Sequence, residues 1–461
     1  MSPRKGVKPS NSKFNAFIAL SVAIFLFLSV VISNLFINYL TVLTLDSNSV
    51  YNDEREFFSQ NELKKIPCFT DAINLENSRI NYSLVADFKK CTSEPHYHIG
   101  FVKTHKCASD TVAGLFLRIA DEQNLQVILP AQIESWNIGW PRPIGRDFFL
   151  PSLKKSKRYD MQALHHMYSP NLWDELLEPD RHLIGIIRNP LDQFISVFNY
   201  FRIGTRIVKD FHSKNETVFD DFLQNPQVYY EYFAPQNIMF QNPMLLDFGY
   251  TKEMKKPLED FIQFIRKKFS LILVADFLDE SLILLKRKLC WTMRDVLFMS
   301  KNKSQYKNLV LDKSSEDMQK QREKLYRKWS SEDYVFYETL LKVFWKRVAV
   351  QSYFYEEVKT YKRIREIVLN YCKKPKGLNK PVKISATPFS DEFIIDKDLC
   401  NRMNINFNYH ILKLQMKHNE TKREKEEFEW TKEDFMEEFQ KPDKKLTLKK
   451  ARKVLPVVEE N

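Results

Sequence analysis

The pattern of apolar and polar positions divides the chain into three parts. From Phe14 to Leu45 there is no Asp, Glu, Lys or Arg. A helix that crosses a bilayer needs roughly 20 apolar residues, so residues 14–40 are predicted to form a transmembrane helix. Arg4, Lys5, Lys8 and Lys13 precede the run, and Asp46, Asp53 and Glu54 follow it. Positive charge stays on the cytosolic side, so residues 1–13 read as a cytoplasmic tail and the rest as luminal. The run is longer than the apolar part of a cleaved signal peptide and lacks a small-residue cleavage site, so it reads as an uncleaved signal anchor. No second such run occurs: "LILVADFLDESLILL" is broken by Asp276, Asp279 and Glu280.

Residues 41–95 are polar and weakly periodic, and read as a luminal stem. From residue 96 the pattern alternates. "HYHIGFVK" reads as a strand, and "DTVAGLFLRIADEQN" as an amphipathic helix with apolar residues at 112, 115, 116 and 119. "LQVILP" reads as a second short strand, followed by a Trp-, Pro- and Arg-rich loop. "RHLIGIIR" (181–188) is a strand and "NPLDQFISVFNYFR" a helix, with Asn189 as N-cap and Pro190 at the first helical position. "FSLILVADF" reads as a strand and "DESLILLKRKLCWTMRDVLF" as the helix after it. "EKLYRKWSSEDYVFYETLLKVFWKRV" reads as helical, flanking the sheet. Strands alternating with helices predict an α/β fold, three-layered and P-loop-like, around a mainly parallel sheet. The body is expected over residues 96–370, and 371–461 as a basic, solvated extension.

The formal charge of +12 is compatible with anionic ligands or a membrane surface, while the luminal address excludes nucleic acid. Sequons at Asn81, Asn215, Asn302 and Asn419 agree with that address. Six cysteines are present, and Cys68 with Cys91 is the most local pairing. No C-x-x-C or H-x-x-x-H spacing suggests a zinc site.

Ligands of parallel sheets sit beyond the carboxyl ends of the strands, which directs attention to two joints. In "FVKTHKCASDTVAGLFLRIA" a strand meets a helix across Lys103, Thr104, His105, Lys106, Cys107, Ala108 and Ser109. A helix N-terminus favours anions, Lys103 and Lys106 add charge, and Ser109 and Thr111 offer hydroxyls. A triphosphate loop would need G-x-x-x-x-G-K-[ST], which is absent. At the second joint Arg188 ends a strand, and Ser196 lies two turns into the next helix.

Taken together, "FVKTHKCASDTV", "HHM" (165–167), "RNPLDQFISVFNYF" and "VADFLDESLILLKRKLCWTMRDVLF" resemble the blocks of the galactose-3-O-sulfotransferases, in that family's order. The resemblance covers roughly residues 95–350. It implies a PAPS-dependent sulfotransferase of the Golgi membrane, type II, with a galactose-terminated glycolipid or glycan as acceptor and no metal. It also implies that Thr104, His105, Ser109, Thr111 and Lys103 line the phosphosulfate side. Lys106 would face the bridging oxygen, and Arg188 and Ser196 would hold the 3′-phosphate. A sugar hydroxyl needs a base, and His165 or His166 is the expected one; His105 would touch donor or acceptor. Trp136, Trp140, Arg142 and Arg146 are candidates for sugar contact. Two letters depart from the family pattern: Cys107 where Thr is usual and Asp110 where Ser is usual. The alternatives are a luminal sulfotransferase for another sugar position, such as a uronic acid 2-hydroxyl, or an inactive membrane-anchored glycan-binding homologue.

Overall fold

The computed structural model describes Val85 and residues 88–422, apart from 133–134, 136–137, 142–147, 212–217, 235, 252–253, 300–314 and 374–379. The predicted anchor at 14–40, Cys68, the sequons at Asn81, Asn215 and Asn302, and Trp136, Arg142 and Arg146 lie outside the described residues. Among the described residues, no helix is long and apolar enough to cross a membrane.

β1 (Ile99–Val102) is wholly buried. It leads through a loop into α1 (Ser109–Glu122), which buries Val112, Leu115, Phe116 and Ile119 as its periodicity predicts. The ring of Phe116 meets Phe101 of β1 at 5.1 Å between centroids, and each such buried side chain contributes roughly 1.5–3 kcal/mol. β2 is Met161–Gln162, and β3 is His182–Ile187. α2 (Pro190–Tyr200) follows, with the Asn189 side chain accepting from the Asp192 amide as its N-cap. A one-turn helix, α3 (Pro243–Asp247), precedes β4 (Leu271–Val274). Then come α4 (Leu278–Leu289), α5 (Glu316–Trp329), α6 (Ser331–Ala349) and α7 (Phe354–Cys372). A small antiparallel pair, β5 (Val382–Ile384) and β6 (Phe393–Ile395), leads to α8 (Phe407–Lys422).

β1 to β4 form one parallel sheet in the order β2-β1-β3-β4. The chain moves to one side of β1 for β2 and to the other for β3. The carboxyl ends of β1 and β3 therefore flank the point where strand order reverses, the usual ligand crevice of such sheets. α4 and α6 pack on β4, and α8 packs on α1.

Several sequence expectations are corrected. "LQVILP" forms only isolated bridges, Val127 to Met161 and Pro130 to Phe149; Pro130 has no N–H to extend a ladder. The helix predicted to run to Phe298 stops at Leu289, because Cys290 turns left-handed there. The stretch 323–348 is two helices broken at Ser330, whose buried hydroxyl binds the Asn242 side chain. Cys91 pairs with Cys290 rather than with Cys68, and Cys372 pairs with Cys400. Of the region read as a solvated extension, residues 397–422 are folded onto the body: Lys413 pairs with Asp121, and Gln415 donates to the Pro130 carbonyl. Asn419 lies within α8.

Candidate functional site

The loop after β1 is built without glycine, yet Lys106 and Ala108 have φ of 58° and 55°. Left-handed backbone costs roughly 1–2 kcal/mol for an L-residue and persists only where surrounding contacts over-determine it. Those contacts come from three separate elements. The His105 amide donates to Asp247 Oδ2 at 2.7 Å, at the end of α3. Gln193 Nε2 of α2 donates to the His105 carbonyl at 2.7 Å. Arg188 Nη1, just past β3, donates to the Lys106 carbonyl at 3.1 Å. Within the loop, the Ser109 hydroxyl donates to the Thr104 carbonyl at 2.5 Å.

α1 begins with no side-chain cap at Ala108, so its first N–H groups and positive dipole end face the loop. The Thr104 hydroxyl is fully buried and has no hydrogen-bond partner. Such an orphan is expensive inside a protein and suits a ligand oxygen. Thr111 is half-buried in the first turn of α1, and Ser196 is half-buried on α2. Ser196 follows Gln193 by one turn and so shares its face. Cys107 packs fully buried as a free thiol, its pKa pushed well up by burial.

Lys103 is buried, and its ammonium has three partners. It donates to Asp110 Oδ1 at 2.5 Å and to His165 Nε2 at 2.5 Å, and it lies 4.4 Å from the centre of the Phe407 ring. Burial pushes the Lys103 pKa below its ordinary value, against the opposing charge of Asp110. Burial works to raise the Asp110 carboxyl, but the Lys103 ammonium outweighs it and holds that pKa low. Asp110 is thus spent on Lys103. Lys106 lies over the Tyr200 ring, 3.7 Å from its centre. Burial lowers its pKa, helped by the charges of Lys103 and Arg188 and opposed by Asp110.

The three expected histidines part company. His105 and His165 stack at 3.8 Å between centroids, and Trp140 lies 4.3 Å from His105 on the same terms. Asp247, almost wholly buried, accepts from the His105 amide, from His105 Nδ1 at 2.9 Å and from Trp140 Nε1 at 2.8 Å. A carboxylate can only accept here, so Nδ1 of His105 carries a proton directed at Asp247. His165 instead has its Nε2 lone pair taken by Lys103. Burial and then the Lys103 charge push its pKa well down. His166 lies apart from the cluster. Trp173 Nε1 donates to its Nε2, and its Nδ1 is 2.7 Å from the Gln162 side-chain amide. Burial pushes its pKa down to about 3. Both ring nitrogens are engaged, and His166 packs apart from the His105–His165 pair.

The site thus gathers Lys103, Thr104, His105, Lys106, His165 and Arg188, with Ser109 bracing the loop. Sequence reading missed Asp247, Gln193, Tyr200 and Phe407. Gln193 and Tyr200 lie inside the quoted "RNPLDQFISVFNYF" block, where a polar residue on the Arg188 side of an apolar helix was a usable signal. Asp247 in "PMLLDFG" gave only the weaker hint of an acid in an apolar run.

A family model described as Galactose-3-O-sulfotransferase matches residues 28–388. Galactose-3-O-sulfotransferase 3 of Mus musculus is 28% identical over 263 residues, 55% of this chain and 58% of that protein. Galactose-3-O-sulfotransferase 2 of Homo sapiens is 28% identical over 262 residues, 56% of this chain and 62% of that protein. Galactosylceramide sulfotransferase of Bos taurus is 26% identical over 291 residues, 60% of this chain and 64% of that protein. The matched stretches therefore span less than two thirds of each of these relatives. No solved structure matches the chain.

Proposed function

Because the chain belongs to the galactose-3-O-sulfotransferase family, we propose that it moves a sulfuryl group from PAPS to the 3-hydroxyl of a terminal galactose on a glycolipid or glycoprotein glycan. The observation that carries this reading is the loop after β1, held in left-handed turns by Arg188, Gln193 and Asp247. It sets Lys106 and an uncapped helix start at the crevice where strand order reverses.

PAPS, when bound, supplies a sulfuryl group already activated by a phosphate leaving group. The residues fit such an anion. The buried Thr104 hydroxyl lacks a partner, and Ser109 at the start of α1 reaches the Thr104 carbonyl. Lys106 would hold the phosphosulfate, releasing Tyr200 to do so, and Arg188 and Ser196 would hold the 3′-phosphate. Arg188 offers a planar fork matched to phosphate. Lys103, committed to Asp110 and His165, supports the site rather than gripping the donor.

The base is His105, not His165 or His166. Asp247 fixes its Nδ1 proton and stabilises the imidazolium that forms when Nε2 takes the acceptor hydroxyl proton. Trp140, against the same ring, offers an apolar face for the sugar.

The wider setting follows from the same reading. The sheet and its helices would form a three-layer, P-loop-like body. Residues 14–40 would anchor it in the Golgi membrane as a type II protein with residues 96–370 luminal. Two disulfides suit an oxidising lumen. Glycosidase treatment of the expressed chain would test luminal exposure through the sequons.

Sulfate transfer from labelled PAPS to galactosylceramide, Galβ1-3GalNAc and lactosamine acceptors tests the activity. Lys106→Ala and Arg188→Ala are expected to weaken binding of adenosine 3′,5′-bisphosphate. His105→Gln is expected to lower kcat by roughly 10²–10⁴-fold with that binding kept. A wild-type protein that binds no sulfonucleotide overturns the reading. His165→Gln losing activity by that factor while His105→Gln retains it reverses the assignment of the base.

A further inference from the structure

α8 lies beyond the family match, which ends at residue 388, yet its first residue reaches the site. The Phe407 ring lies 4.4 Å from the Lys103 ammonium. Six and ten positions on, Lys413 and Lys417 meet Asp121 near the far end of α1. Asp110, beside Lys103, and Asp121 are separated by about the same length of helix. α8 therefore runs alongside α1 in the same direction and starts at the loop after β1. Ile411 and Leu414 bury its inner face, and the Cys372–Cys400 bridge holds the segment that delivers it.

The placement is specific. An ammonium has three N–H groups. Lys103 directs one to Asp110 and one to His165, and the aromatic face receives the third. Phe407 is itself half-buried, and Lys103 against it is almost wholly buried.

We propose that Phe407 is a positioning residue of the active site: its ring face holds the Lys103 ammonium against His165 and Asp110 and keeps water from it. This rests on the proposed sulfotransferase reading for its kinetic consequence, but not for its structural one. A desolvated cation–π contact is strong enough to matter here, and a leucine of similar apolar bulk would fill the space without a π face. The C-terminal segment would then be part of the catalytic apparatus of this chain, supplied from outside the shared family region.

The test uses the full chain with Phe407→Leu, Phe407→Tyr and Phe407→Ala. Amine-reactive labelling followed by peptide mass spectrometry reads the exposure of Lys103. Lys103 is expected to be protected in the wild type and the tyrosine variant, and to label about tenfold faster in the leucine variant. In sulfate transfer the leucine variant is expected to lose about tenfold in kcat, with KM for PAPS and affinity for adenosine 3′,5′-bisphosphate within about twofold of wild type. The tyrosine variant is expected to retain kcat. Leucine behaving as wild type in both readouts overturns the proposal, as does tyrosine behaving as leucine. If alanine fails to fold, the leucine and tyrosine pair still decides. If the wild type transfers no sulfate, the functional reading fails, while the labelling still decides the role of Phe407.

Discussion

Lys106 and Ala108 take up backbone that glycine normally fills, and they do so within three positions of each other. That answers how a glycine-poor loop can present its amides to an anion: the strain is borne by outside contacts rather than avoided by residue choice. Cys107 between them turns inward, and Asp110 finds Lys103, so neither departure from the family pattern leaves an unpaired charge against the anion. At this scale the cationic and hydroxyl residues were legible, because they stand at strand ends in short blocks. Asp247 and Gln193 were not, because each acts through a contact with His105, 142 and 88 residues away in sequence. His165 and His166 are adjacent and look equivalent as letters, and only burial and partners separate them. His166 carries its own signature. Its folded pKa of about 3 lies below the ordinary histidine value. Between those values the unfolded chain takes up a proton that the folded one refuses. Stability that is intact above about pH 6.5 is therefore lost as the pH falls, by about 2 kcal/mol at pH 5. Urea unfolding at pH 7.5 and pH 5 should show that extra loss in the wild type and not in His166→Gln. Equal losses in both would contradict the assignment.

β1, β3 and β4 were readable as elements because each is a short, continuous apolar run, the mark of a strand buried on both faces. β2 was not, since Met161–Gln162 is two residues long and sits in a polar stretch with no period. The ends of helices were set by tertiary partners: Cys290 by its bridge, Ser330 by Asn242. The same dependence runs through α3. Asp333 of α6 accepts from the Met244 and Leu245 amides at the start of α3, and Asp247 at its end orients His105. A residue on a flanking helix thus sets the direction of the proposed base. β1 also depends on a close approach. A Cβ at Gly100 would stand 2.4 Å from the Trp173 ring, whose indole nitrogen in turn serves His166. Gly100→Ala should therefore cost about 1–3 kcal/mol by overpacking, read as a lower denaturant midpoint with an unchanged slope. An unaltered midpoint would show that Trp173 can step aside.

Over the whole molecule the class of fold was legible, as was the strand-end position of the site. The way residues 397–422 pack beside it was not. The basic composition of 371–461 suggested a solvated tail, but positive charge on α8 is matched to Asp121 and its apolar residues to α1. The Cys372–Cys400 bridge closes a 28-residue separation, which in the chain-entropy view contributes about 3.5 kcal/mol. Replacing both cysteines by serine should lower stability by about that amount and expose Lys103 to labelling, as Phe407→Leu does. Lower stability with Lys103 still protected would separate α8 from the bridge.

The Cys91–Cys290 bridge has a mechanical meaning. It joins the chain, eight residues before β1, to the end of α4, and beside it the His96 amide donates to the Leu289 carbonyl. A pull on the chain ahead of Cys91 passes in part through a covalent link into α4, so β1 does not bear it alone. The strand that carries Lys103 and His105 is thereby partly shielded from tension, and a tether tugging on this protein loads its loop less.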